Sequence, residues 1–230
     1  MCGGVWTAKK RNSYRCLIHN FYRNEWRFLS NMTEEGRVAA SSVELDDNLW
    51  ITGGVGNSDL KTTEFIYPSG KVMKGPDLPV KTMGHCMIKL HDGKIMILGG
   101  NFRFDDDGKQ VLIYDPKSNY SLLKGPPLLY GIQFASCTVF NSPMHNQRPV
   151  VLVTGGMNRY KSGKPISTSQ IFDYTYRNLW EIGEYSYSIM VRKYNYFSTV
   201  PNIIYVNCLE SFLYLFVVIK RVLRTFESSN

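Results

Sequence analysis

Leu49-Trp50-Ile51-Thr52-Gly53-Gly54 is an apolar run that stops on two glycines. The construction returns as Ile95-Met96-Ile97-Leu98-Gly99-Gly100 and as Val150-Val151-Leu152-Val153-Thr154-Gly155-Gly156. A fourth pair, Gly3-Gly4, stands near the start of the chain without the strand that should precede it. The pairs lie 50, 46 and 56 residues apart. A period of that length marks arrays of small repeated units.

Other landmarks keep the same spacing. Lys74-Gly75-Pro76 returns as Lys124-Gly125-Pro126, and Tyr22-Arg23-Asn24-Glu25-Trp26 as Tyr176-Arg177-Asn178-Leu179-Trp180. Two short strand-like segments follow each pair: Thr63–Tyr67 and Lys71–Lys74, then 111–115 and 120–123, then Gln170–Tyr174 and Leu179–Ile182. Gly84–Leu90 and Ile132–Phe140 lead into the next apolar run. Asp46-Asp47-Asn48 and His91-Asp92-Gly93 read as hairpin turns, because Asp and Gly tolerate the positive φ angles that tight turns need. Each unit is therefore four short antiparallel strands. Such a sheet leaves both faces uncovered until a neighbouring unit supplies the cover.

Composition agrees with an all-β chain. Of 230 residues 43% are hydrophobic and 13% aromatic, enough to bury a sizeable core in strands rich in Tyr and Phe. The formal charge of +8 does not form a nucleic-acid-binding face. Lys9, Lys10, Arg11, Arg15, Arg23 and Arg27 crowd the first thirty residues against Glu25, while 31–183 is close to neutral. Only Lys9-Lys10-Arg11 resembles a basic cluster, and three cations in a polar loop are ordinarily solvated. No nucleic-acid partner is expected. The cysteines Cys2, Cys16, Cys86, Cys137 and Cys208 are odd in number and dispersed, with no zinc-type spacing. They read as buried free thiols. With no apolar signal segment at the start, that reading favours a cytoplasmic location.

The run of hydrophobics, the glycine pair, and a Tyr followed six residues later by a Trp resemble the kelch repeat family. Tyr174 and Trp180 match the pattern in full; Tyr114 is followed by Tyr120, Tyr67 by Met73, and Trp26 is preceded by Asn20. The resemblance implies a kelch-type β-propeller of about four blades, or an incomplete ring, over residues 1–207. It divides the chain into a half blade at 1–32, blades at 33–82, 83–130 and 131–183, and a half blade at 184–207. Gly3, Gly4, Gly53, Gly54, Gly99, Gly100, Gly155 and Gly156, with Trp26, Tyr114, Tyr174 and Trp180, are its structural motif, the large aromatics filling space between blades. On this pattern the chain starts in mid-blade and loses the repeat in mid-blade, since Cys208-Leu209 stands where the fifth glycine pair is due.

The tail, 208–230, is apolar and basic and carries no landmark of the repeat. Leu209, Phe212, Leu213, Phe216, Leu223 and Phe226 fall at helical spacing, so a C-terminal helix is expected. The readings open here are an element packed on the last blade, an out-of-family tail from alternative splicing or a misplaced gene boundary, and a membrane anchor flanked by Lys220, Arg221 and Arg224. The anchor is disfavoured: Phe212–Ile219 is eight residues, against the ~20 that a span requires.

Nothing in the sequence converges on catalysis. His19, His85, His91 and His145 sit in different repeats, and Asp105-Asp106-Asp107-Gly108 lacks the alternating oxygen ligands of a calcium loop. No metal and no cofactor are expected. The family implies a protein–protein interaction scaffold without catalysis, such as a ubiquitin-ligase adaptor or an actin-binding module. Partners are held by loops on one rim, those after the glycine pairs and those between blades. The candidate binding residues are Arg103, Phe104, Arg159, Tyr160, Asn57 and Lys81; arginine and aromatic side chains are enriched at interface hot spots. Open sheet edges would add a route to self-association. The rival class is a propeller enzyme of the galactose-oxidase type, a copper enzyme whose motif this chain does not show.

Overall fold

The computed structural model describes residues 1–6, 11–100, 108–118, 122–158, 164–175, 179–182, 190–191, 204–205 and 215–217. Among them the chain is all-β, with no α-helix and one 3-10 turn at Pro143–His145. Three four-stranded antiparallel sheets carry the architecture. The first holds Ser41–Leu45, Asn48–Thr52, Thr63–Ile66 and Val72–Lys74. The second holds Cys86–Lys89, Ile95–Leu98, Val111–Tyr114 and Leu122–Lys124. The third holds Ser136–Ser142, Arg148–Thr154, Ser169–Asp173 and Leu179–Ile182. A hairpin of Arg15–Asn20 and Glu25–Asn31 precedes them, with Cys2 bridging to Cys16 on its free side.

Strands within a sheet follow one another, joined by short turns at one end and by a longer loop after the glycine pair at the other; in the third sheet that loop carries its own two-stranded hairpin, Met157–Asn158 with Lys164–Pro165. Asp46 and Asp47 adopt φ of 51° and 61°, the left-handed pair of a tight hairpin, and Gly93 takes 88° in the corresponding turn of the second sheet. The first strands of successive sheets lie side by side. Ile95–Leu98, the second strand of the middle sheet, is buried on both faces, as a strand covered on both sides must be.

The cover comes from apolar clusters between sheets. Leu45 and Trp50 of the first sheet meet Ile95, Ile97, Leu112 and Tyr114 of the second. Met96, Leu98 and Val111 of the second meet Val151, Val153, Phe172 and Trp180 of the third. At the first junction Tyr114 lies 4.5 Å from Trp50, centroid to centroid; at the second, Trp180 Nε1 donates to the Pro126 carbonyl at 2.9 Å.

The glycine pairs have one repeated task. In three of the four pairs the second glycine donates its N–H to a carbonyl of the connection entering the next sheet: Gly4 to Arg37, Gly54 to Thr82, Gly100 to Ile132, at 2.8–2.9 Å. The first glycine lies flat against that same carbonyl. A Cβ at Gly3 would stand 2.5 Å from Arg37 O, and one at Gly99 2.6 Å from Ile132 O. All eight glycines have positive φ, so the conformation favours glycine throughout, and at Gly3, Gly53, Gly54, Gly99, Gly100 and Gly156 the space demands it too.

Three expectations are corrected. The cysteines are not all free thiols: Cys2 is bonded to Cys16 and Cys86 to Cys137. The second bond joins the first strands of the second and third sheets, and it removes the cysteine argument for a reducing compartment. Trp26, expected to fill space between units, is 55% exposed. It pairs with His19 on one face of the hairpin, while Leu29, of opposite parity, packs towards the first sheet. The expected C-terminal helix gives way to a strand at Leu215–Val217, paired with Met190–Val191 and Ile204–Tyr205; the β-branched run Val217-Val218-Ile219 opposes helical spacing.

The Cys86–Cys137 bond closes a loop of 51 residues, for which chain entropy gives roughly 4 kcal/mol of stabilisation. Reduction, or the pair Cys86→Ser and Cys137→Ser, is expected to lower the denaturation midpoint accordingly. Equilibrium unfolding with and without reductant measures it.

Candidate binding rim

Strand direction alternates, so Thr52, Ser41 and Thr63 lie in register at one end of the first sheet. The loop after the glycine pair and the connection to the next sheet both leave from that end, and the hairpin turns lie at the other. Of the candidate residues, Asn57 and Lys81 are on this rim and exposed. Arg103, Phe104, Arg159 and Tyr160 lie outside the described residues.

The loop bearing Asn57 is tied down. Its N–H donates to Glu35 Oε2 at 2.8 Å, and Asn12 Nδ2 donates to the carbonyls of Val55 and Gly56 at 2.9 and 3.0 Å. Thr82, beside Lys81, donates its N–H to Leu60 O at 3.0 Å. The two loops are thereby cross-linked through the backbone, and Asn57 and Lys81 project from a fixed frame.

Three features lie beneath this rim. The first is a buried ion pair. Arg37 and Glu64 side chains are fully buried, with Nη2 donating to Oε2 at 2.8 Å. Arg37 Nη1 also donates to the carbonyls of Gly53 and Thr62, and Glu64 Oε1 accepts from the N–H and hydroxyl of Thr33. Burial pulls the Arg37 guanidinium below its ordinary value, opposed by Glu64. The second is His85, whose ring bonds Thr52 Oγ1 across the sheet junction at 2.7 Å. Burial, with no opposing charge, pushes it down to about 4.

The third is backbone strain. Ala39, Gly84 and Phe134 hold equivalent places in successive connections, all with positive φ of 52°, 65° and 55°. Gly84 N–H donates to Ala39 O at 2.8 Å and Phe134 N–H to Gly84 O at 2.7 Å. A bulky residue in this conformation is uncommon and costs about 1–2 kcal/mol. The Phe134 ring lies over Gly84, close enough that a Cβ there would meet it at 2.9 Å, yet the residue is 38% exposed. Sequence hinted at two of these: at His85, a packing or hydrogen-bonding histidine at the start of a first strand, and at Glu64, a charge between Thr63 and Phe65 in a strand otherwise suited to burial.

Among the described residues no group of three or more His, Cys, Asp or Glu is placed to hold a metal ion. No helix among them is long and apolar enough to cross a membrane. No family model matches the chain, and no curated protein does. Among solved structures, that of YjhT is similar: TM-score 0.58 at 18% identity, over 79% of this chain. The chain spans 64% of the length of that structure. A likeness at that identity is one of fold, of antiparallel sheets in series.

Two outcomes test the buried groups. Glu64→Gln strands the Arg37 charge and is expected to cost about 3–5 kcal/mol. The double variant Arg37→Thr/Glu64→Leu installs the pair found at Thr82 and Leu112 one unit on, and should recover most of it in chemical denaturation. For His85, the folded value lies below the ~6.5 of an exposed imidazole. Its stabilising contribution is therefore complete above pH 6.5 and is lost as pH falls towards 4, by roughly 3 kcal/mol. Denaturation between pH 7 and 4 should show that slope, and His85→Gln should flatten it.

Proposed function

We propose that the chain is a kelch-type propeller, built from the repeat units at 33–82, 83–130 and 131–183 with partial units on either side, and that it serves as a protein–protein interaction scaffold. Support comes from the periodic glycine pair with its inter-unit hydrogen bond, and from the aromatic joints at Trp50–Tyr114 and Trp180–Pro126. Partners are held by the rim at the glycine end, through Asn57 and Lys81 together with Arg103, Phe104, Arg159 and Tyr160. Ubiquitin-ligase adaptor and actin-binding roles are the two that the kelch resemblance brings with it.

The observation that carries the reading is Phe134. Its equivalents are alanine and glycine, which meet the same backbone demand at lower cost. A phenylalanine held there, strained and still 38% exposed, presents an aromatic side chain from a rigid base. Strain of this kind is retained where it serves a site.

The variants Arg103→Ala/Arg159→Ala and Phe134→Gly are each expected to reduce affinity capture of protein partners at least tenfold with no fall in melting temperature. Capture unchanged in both would remove the rim from the reading. Stoichiometric copper in the purified protein would replace the scaffold with an enzyme.

A further inference from the structure

Asn31-Met32-Thr33 is an acceptor triplet for an N-linked glycan, an asparagine followed two residues on by a hydroxyl. Such triplets are common in sequences. What makes one an acceptor is where the fold puts it and the compartment in which the chain folds, and the structure speaks to both.

Asn31 closes Glu25–Asn31, the outer strand of the first hairpin. Its neighbours Ser30 and Met32 point inward, 9% and 5% exposed, and Met32 packs in the cluster that holds Cys2, Cys16, Ile51 and Ile66. Successive side chains of a strand face opposite ways, and Asn31 is turned to solvent. Thr33 is held in the folded chain, its N–H and hydroxyl donating to Glu64 Oε1 at 2.6 and 2.7 Å. Glu64 lies 31 residues further on, so the hydroxyl stays open to an enzyme until that part of the chain has folded.

Four of the five cysteines are paired, Cys2 with Cys16 and Cys86 with Cys137. Disulfides persist in oxidising compartments, and those of the cytosol are as a rule transient, catalytic or redox-sensing. Reactive cysteines of that kind need a thiolate within reach of solvent. Cys2 and Cys16 are 6% and 0% exposed inside an apolar cluster, and Cys86 and Cys137 pack against the core between the second and third sheets. Both bonds are therefore structural, and the compartment they need is the one in which N-linked glycans are attached.

We propose that Asn31 carries an N-linked oligosaccharide, acquired as the chain folds in the oxidising lumen of the secretory pathway. The donor is an oligosaccharide carried on a lipid pyrophosphate. Asn31 Nδ2 bonds to its anomeric carbon, the bond from that carbon to the pyrophosphate oxygen breaks, the pyrophosphate leaves with the electron pair, and one amide proton is released. The proposal is independent of the scaffold reading. It bears only on where a partner is met, outside the cytosol, a setting that suits neither a ubiquitin-ligase adaptor nor an actin-binding module.

The test is glycopeptide mapping of the full chain, recovered from the cells that make it and, in parallel, produced behind a cleavable secretory leader in cultured eukaryotic cells. In both, the Asn31 peptide is expected to carry one oligosaccharide, and Cys2, Cys16, Cys86 and Cys137 to resist alkylation until reductant is added. Asn31→Gln should lose the mass of that oligosaccharide and keep both disulfides. An unmodified Asn31 peptide in the chain from its own cells overturns the proposal, whatever the state of a second triplet, Asn119-Tyr120-Ser121, which lies outside the described residues. So does alkylation of those four cysteines in that chain without reductant.

Discussion

The hydrogen bond that Gly4, Gly54 and Gly100 each make to the connection entering the next sheet is the contact on which the rest depends. A four-stranded sheet of three to seven residues per strand cannot bury itself, and must be held against a neighbour at close and constant range. Gly4, Gly54 and Gly100 make that bond to Arg37, Thr82 and Ile132, with side chains that have nothing in common. The invariant parts are backbone: a positive φ, a missing Cβ, and one carbonyl. Side chains then vary in how they seal the joint. Arg37 closes it with a buried ion pair to Glu64, Thr82 lies beside the neutral His85, and Ile132 relies on apolar packing.

The variation at one strand position shows the same economy between sheets. Residues 26, 72, 122 and 180 occupy corresponding places in the fourth strand of successive units. Val72 suffices where Leu29 and Ile66 close the wedge by themselves. Trp180 reaches the Pro126 carbonyl of the preceding sheet. Leu122 packs against the cluster built on Trp50 and Tyr114. Trp26 faces solvent. A single position thus carries side chains that seal a joint in one unit and meet water in another.

The repeats were legible because they rest on backbone demands, which the genetic code expresses through very few residues. Glycine at positive φ, Asp-Asp and Asp-Gly at hairpin turns, and uninterrupted apolar runs for strands covered on both sides each have narrow sequence signatures. Strand boundaries expected at Thr63–Tyr67 and Gln170–Tyr174 agree with the observed Thr63–Ile66 and Ser169–Asp173 within a residue. What stayed hidden depends on partners distant in sequence. Arg37 and Glu64 are 27 residues apart and Cys86 and Cys137 are 51 apart, and neither spacing signals contact.

Phe134 belongs to that hidden class in a more instructive way. Read locally, Gln133-Phe134-Ala135 is an ordinary approach to a strand, and nothing in it asks for a left-handed residue. Only alignment with Ala39 and Gly84 through their head-to-tail hydrogen bonds reveals the demand. A position where the backbone favours glycine, and where one unit nevertheless carries the largest side chain of the three, is where stability and exposure pull apart. The backbone frame follows from the repeat, and the residues that depart from its preference are those left to explain by binding.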